Sequence, residues 1–476
     1  YREIEHFSVS ENPFISITSL KDETLLFGTE NDGLYHINQQ GKILNHHKAS
    51  NKDEKSLLSS SIWSLYQDKD NKIWLGYYNK GVAVYDPLYD KFKGLESLYN
   101  NPNSLQASSV TSIVEDKSGK IWVGMDGGGI DVIDKKSNQY THINTSLKSK
   151  YSGLTSDYIQ AIFIDSKENI WAGSWDQGIF FLKNGTKHFV NKTKETTNGD
   201  LQSDVVVSFD EDSKGTIWIS TYHSGLHSYN PTTAKFTHYN TPEFQENGIS
   251  NSDSWKVLVD YKDNIWLGTT NGLFKIVQKS NGAFSINSMK EKMEEKYHNV
   301  TTANHILSLY ESSDKNIWIG TKGAGLCKYN IASNSFIWYN KLNGLILENV
   351  CGIIECNSQN IWVSGNSGIV KINTEFNEFT NFTVNDGLLS NDFNMNSSYK
   401  NANGEIYFGG YDGVDYFKPN TIDINKSENF LYLSELKIFN KKVLPTQENS
   451  PLNKIITETD SISLNSKQSV FTIEYS

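Results

Sequence analysis

Three dipeptides in this chain place an aromatic ring beside a group that can move a proton or hold a hydroxyl: Trp175-Asp176, Tyr222-His223 and Tyr411-Asp412. A ring covers the apolar C–H face of a sugar while its polar neighbour fixes the hydroxyls, so the pairs are candidate ligand contacts. Asp126 and Lys322 occupy matching places and supply charge of either sign. The same groups raise a hydrolytic alternative. A lyase needs a base and an acid, and an inverting glycoside hydrolase needs two carboxyls about 6.5–9.5 Å apart. No local motif fixes either arrangement. His223 and His227 flank one hairpin without a third ligand, which is too little for a metal centre. The reading is therefore a binding face with no catalytic residue, no metal and no cofactor.

The elements that must carry these residues come from a repeat. The box Ile-Trp-(Leu/Val/Ile/Ala)-(Gly/Ser) recurs with its tryptophan at Trp74, Trp122, Trp171, Trp218, Trp266, Trp318 and Trp362. It continues as Ile406-Tyr407-Phe408-Gly409 and is foreshadowed by Leu25-Leu26-Phe27-Gly28, giving nine copies spaced 44 to 52 residues apart. That period is the length of a four-stranded propeller blade. Each copy reads as an alternating strand, a polar turn, the box strand, a second turn and two further strands. The candidate pairs all fall in the second turn. With the connections between blades, those turns open on one face of the array, and the first turns open on the other.

Asp68, Asp116, Asp165, Asp212 and Asp260 each precede their tryptophan by six residues, and Ser312, Cys356 and Asn401 replace them in the last three copies. Because they recur in register, these aspartates read as caps on the backbone of their own turn and not as catalytic acids. The seven box tryptophans read as blade packing, and Trp63, Trp255 and Trp338, inside other strands, read as core.

A lone blade cannot bury both faces, so blades stack, and closing the stack into a ring removes its exposed edges. Nine copies exceed one ring of four to eight blades. The expectation is all-β: two blades of a preceding, incomplete propeller over 1–100, a seven-bladed propeller over 101–425, and the start of an Ig-like β-sandwich over 426–476. The last segment rests on two alternating runs, Phe430–Phe439 and Gln468–Tyr475, with no box between them.

Composition excludes several partners. A net charge of −11 and a pI near 5.5 disfavour nucleic acid and anionic lipid. Arg2 is the sole arginine, so a sialidase-like cluster of arginines on a substrate carboxylate is not available. Cys327, Cys351 and Cys356 are odd in number, lack metal spacing and read as buried thiols. No apolar run has the length of a membrane span.

The blade pattern Asp-x-x-Gly-x-Ile-Trp-(Ile/Val/Leu)-Gly, followed by Gly-(Leu/Ile) and Tyr-(Asn/Asp), is clearest over residues 116–134 and 312–330. It resembles the regulator-propeller repeat of periplasmic sensors in hybrid two-component systems of Bacteroidetes. The tail, with Leu433–Val443, Ser450-Pro-Leu452 and Lys467–Tyr475, resembles the Ig-like domain that follows those propellers. The resemblance implies the periplasmic ectodomain of an inner-membrane protein, with a single membrane helix and a histidine kinase beyond it. It implies an oligosaccharide ligand, control of glycan-utilisation genes and a homodimeric ectodomain, without enzymatic activity in this region. The chain departs from the family in having nine repeats instead of about fourteen and half an Ig-like domain. A protein-interaction scaffold is the alternative to glycan sensing, and a polysaccharide lyase or glycoside hydrolase is the third.

Overall fold

A computed structural model describes residues 10–50, 56–86, 91–146, 149–297, 301–357, 359–422 and 432–475. Arg2 and the start of the first alternating run of the tail, Phe430 and Leu431, lie outside them. The chain divides into two compact units, Tyr1–Asp423 and Ile424–Ser476.

The first unit is a succession of antiparallel sheets in the order of the repeats. Blade 1 spans residues 14–47 with four strands, and blade 2 spans 62–85 with three. Blades 3 to 8 are four-stranded and begin at Val110, Ile159, Val206, Ser254, Ile306 and Val350. Blade 9 takes three strands from residues 393–417 and its fourth from Lys93–Leu95, which pairs with the strand Gly413–Phe417. The seven repeats from Trp122 to Tyr407 thus close one ring, fastened by a strand that precedes its first blade. The ring therefore starts before residue 101, because its outer strand is borrowed from upstream.

Closure follows from where each box residue packs. Trp122 is buried against blade 4, Trp171 against blade 5, Trp218 against blade 6, Trp266 against blade 7, Trp318 against blade 8 and Trp362 against blade 9. Tyr407 completes the circuit by packing on Val110, Ile121 and Met125 of blade 3. Lys135 locks this seam, donating to Glu405 and to the Tyr407 hydroxyl at 2.8 Å each and lying over the Tyr416 ring. Trp74 of blade 2 has no following blade among the described residues and is 41% exposed. The box glycine permits the close approach of adjacent blades: a Cβ on Gly320 would lie 2.4 Å from the Val350 carbonyl.

The recurring aspartates cap their turns and do one thing more. Asp116 accepts the backbone N–H groups of Ser118 and Lys120 on one oxygen and the Trp122 indole N–H, at 2.9 Å, on the other. The indole bond repeats from Trp74 to Asp68, Trp171 to Asp165, Trp218 to Asp212 and Trp266 to Asp260 at 2.9–3.1 Å. Where Ser312 and Cys356 replace the aspartate, the Trp318 and Trp362 indole N–H groups are buried without a partner. A buried donor left unpaired costs about 1–3 kcal/mol. Cys356→Asp is therefore expected to raise stability by about 1 kcal/mol, read as a higher melting temperature; an unchanged or lower value would contradict it.

The three cysteines carry free thiols, with Cys327 and Cys351 buried and Cys356 half-buried. In the second unit, Leu433–Ile438 pairs on one side with Lys441–Lys442 and on the other with Phe471–Tyr475. Leu436, Leu452 and Ile456 form its small core.

Candidate ligand-binding face

One backbone hydrogen bond sets the face on which the candidate residues stand. In blade after blade, the residue four beyond the box aromatic donates its N–H to a carbonyl just ahead of the innermost strand. The pairs are Asp126 to Ser109, Trp175 to Tyr158, Tyr222 to Val205, Thr270 to Asp253, Lys322 to His305 and Tyr411 to Asp392. The second turns and the entries into the inner strands therefore share one end of the ring. At the opposite end, first turns are tied blade to blade by carboxylates, such as Glu211 to Ser166, Glu311 to Tyr261 and Glu355 to Ser313.

On the shared face the rings form a continuous arc across four blades. Trp175 lies 5.5 Å from Tyr222, centroid to centroid, Tyr222 lies 5.2 Å from Trp255, and Trp255 lies 6.5 Å from His305. Trp175 is 41% exposed, and Tyr158, whose carbonyl it bonds, is 51% exposed. His223 lies tilted against Tyr222, with ring centroids 4.0 Å apart, and reaches Asp253 through Nδ1 at 2.7 Å. His223 holds a left-handed backbone, φ 65°, which turns its side chain back toward the entry of blade 6. Lys322 donates its N–H to the His305 carbonyl, and burial together with the Lys322 charge pushes the His305 imidazole below its ordinary pKa. His305 is thereby kept neutral near pH 7, able to donate or accept.

Of the sequence-derived candidates, Trp175, Tyr222, His223 and Lys322 stand on this arc, and Asp176 is adjacent to Trp175 with its carboxylate accepting the Ser156 hydroxyl at 2.5 Å. Asp126 joins its flank through a bridge to Tyr158. Tyr411 and Asp412 are exposed on the same end of blade 9, and no ring contact joins Tyr411 to the arc. Trp255 corrects an expectation. It lies on an inner strand, as the core reading required, but second in that strand, at the mouth of the ring and in contact with Tyr222. Trp63 holds the same strand position in blade 2 and is 48% exposed, its ring tilted against Tyr78 at 4.8 Å. Tyr158, Asp253 and His305 were missed because they belong to the loops entering the blades. Their signal was positional: each lies within two residues of the start of an inner strand.

His227 does not cooperate with His223. It points into the blade, accepts the Gln202 N–H and stacks on His238 at 4.5 Å. Among the described residues no group of three His, Cys, Asp or Glu side chains is placed to hold a metal. Of the carboxylates on the arc, Asp176 accepts the Ser156 hydroxyl and Asp253 pairs with His223. The arrangement presents ring faces beside groups that can donate or accept hydrogen bonds.

Comparison with known proteins bears on the repeats and the fold. The model of the two-component regulator propeller matches residues 56–79, 104–127, 200–223 and 302–323. Histidine kinase P4 of Formosa agariphila is 28% identical over 343 residues, which are 71% of this chain and 24% of that protein. The chain thus spans about a quarter of the length of that curated relative. Among solved structures, the extracellular domain of the hybrid two-component system BT3049 of B. thetaiotaomicron superposes with a TM-score of 0.72 at 23% identity. That match covers 97% of this chain and 58% of the other. The extracellular domain of BT4673 from the same organism gives 0.56 at 20% identity, over 98% and 61%. These likenesses are ones of fold. With repeats matched in blades 2, 3, 5 and 7 and the ring closed as described, the chain carries two-component regulator propeller repeats.

Proposed function

We propose that this chain is the extracellular sensing region of a two-component sensor and that it binds an oligosaccharide released from a polysaccharide along the aromatic arc. The observation that carries the reading is the unbroken run of Trp175, Tyr222, Trp255 and His305 on one open face, flanked by Asp126, Asp176, Asp253 and Lys322. Rings separated by 5.2–6.5 Å offer stacking surfaces to successive units of a chain of sugars, and the flanking groups take their hydroxyls. The regulator-propeller match and the likeness to extracellular domains support a sensor placed outside the cytoplasm. Signal passage through one membrane helix to a histidine kinase, homodimerisation of the complete ectodomain and control of glycan-utilisation genes complete the proposal. No helix among the described residues is long and apolar enough to cross a membrane. No bond of the ligand is cleaved.

Calorimetric titration against oligosaccharides of graded length and composition tests the reading. Tyr222→Ala and Trp255→Ala should each weaken binding of the cognate sugar by about 1–3 kcal/mol, the scale of a lost aromatic contact. Trp175→Ala should do the same while leaving the melting temperature nearly unchanged. Unchanged affinity in all three variants would place the ligand elsewhere, and shortened sugars in the product would revive a hydrolase or lyase.

A further inference from the structure

Below the arc, the inner strands of all seven blades enclose a lumen of about 470 Å³. Its walls mix apolar residues such as Val114, Phe163 and Leu309 with hydroxyls such as Ser112, Ser208 and Ser308, and besides Lys400 two charged side chains, Lys256 and Asp210, line it. Lys256 of blade 6 pairs in register with box residue Gly268. The residues in that register in blades 3, 4, 5, 7 and 8 are Ser112, Ala161, Ser208, Ser308 and Gly352. Asp210 of blade 5 pairs with Trp218, and its counterparts are Val114, Phe163, Leu258, Tyr310, Ile354 and Tyr399. Neighbouring blades therefore put one cation and one anion into a lumen that is uncharged at the same levels everywhere else.

The two charges do not satisfy each other. Lys256 is half-buried and lines the lumen, and neither a hydrogen bond nor an ion pair ties its ammonium to a described residue, Asp210 acting on it only through its charge. Asp210 rests on backbone, accepting Val259 N–H at 2.7 Å and Glu211 N–H at 2.9 Å. Burial pushes its carboxyl up to about 6 and pulls the lysine down. A second polar group with an unused atom stands across the lumen. Asn396, in a left-handed bulge of blade 9, φ 60°, donates to the Trp255 carbonyl at 3.0 Å, and its Oδ1 is buried without a partner. That bond bridges the ring from blade 9 to blade 6 and lies between the lumen and the arc. Lys400 is already engaged by the Glu355 and Cys356 carbonyls.

An ammonium without a protein partner on the wall of a narrow lumen is favoured by an anionic group beside it. A simple anion would also meet Asp210, and a simple cation would meet Lys256. We propose that the lumen is a binding site for a small zwitterion of the α-amino acid class, its carboxylate taken by Lys256 and its ammonium by Asp210 and Asn396 Oδ1. Such a ligand brings both charges in the order the walls present them and adds no net charge to a low-dielectric space. A volume of 470 Å³ accommodates any member of the class. The site is separate from the proposed oligosaccharide face and takes a different ligand, so each stands or falls alone.

The test is calorimetry and thermal shift on the whole chain with the individual L-α-amino acids, using acetate, methylammonium and glycerol as controls that lack one or both charges. One or a few amino acids should bind at a single site, and the controls should not. Lys256→Ser and Asp210→Val introduce residue types already present at the equivalent levels of the ring, so both are expected to fold, which far-ultraviolet circular dichroism checks. Each should weaken binding by about tenfold or more, the value of a charge-assisted hydrogen bond. Absence of binding by every amino acid to the unaltered chain would show a lumen that holds solvent only and overturn the proposal. Equal binding in both variants, or binding of acetate as strong as that of the amino acid, would overturn it as well.

Discussion

Exchange of His227 for phenylalanine is expected to protect the ring against acid. Burial and the nearby His238 hold the His227 imidazole down to about 3, and its side chain is 0% exposed. In the unfolded chain the group titrates near 6.5. Between those values the unfolded state binds the extra proton, so stability is complete above about pH 6.5 and falls as pH drops toward 3. The loss approaches about 1.4 kcal/mol per pH unit. Asp210 acts in the opposite sense: its carboxyl is raised to about 6, so the folded state takes up a proton first and gains stability as pH falls from about 6 toward its unfolded value. The comparison between unaltered and variant protein isolates the histidine. Phe180 and Phe274 occupy the same level of their blades, so the substitution suits the site. Urea unfolding should show the variant gaining about 2 kcal/mol on the unaltered chain between about pH 7 and pH 5. A difference independent of pH would mean that His227 takes up its proton as readily in the fold as in the unfolded chain.

Removal of the Asp260 carboxylate is expected to cost about 3 kcal/mol. Asp260 is 3% exposed and accepts Lys262 N–H, Asn264 N–H, the Asn264 side-chain amide and the Trp266 indole. Asp260→Ala leaves the indole N–H and the amide buried and unpaired, and leaves the turn that aligns two strands without its cap. Asp68 makes the same indole bond to a half-exposed Trp74, where water replaces what is lost, so Asp68→Ala should shift the melting temperature much less. Equal shifts for the two variants would show that the recurring aspartate acts through its turn alone, without the tryptophan.

The repeat made the blades readable because a propeller is quasi-one-dimensional: each blade contacts only its neighbours, so box, cap and turn must recur. Trp122 to Tyr407 therefore marked the ring, and the turn after each box marked the face that holds Trp175, Tyr222 and Lys322. What the repeat could not show is where register is broken or strands are exchanged. Lys93–Leu95 carries no box, so its service to blade 9, more than three hundred residues downstream, left no local trace. Trp255 looked like core because strand position alone does not separate a residue between blades from one at the ring mouth. Lys256 and Asp210 became conspicuous only once pairing with the box strands had aligned their levels.

Chemical footprinting of the tryptophans tests the central claim most directly. With the cognate oligosaccharide bound, Trp175 and the half-buried Trp255 should be shielded from an indole-modifying reagent, while Trp63, exposed on blade 2 to a degree similar to Trp175 and packed against Tyr78, should react as before. Shielding of Trp63 with Trp175 and Trp255 unchanged, or no change at any of the three under saturating ligand, would contradict the assignment of the sugar to the arc.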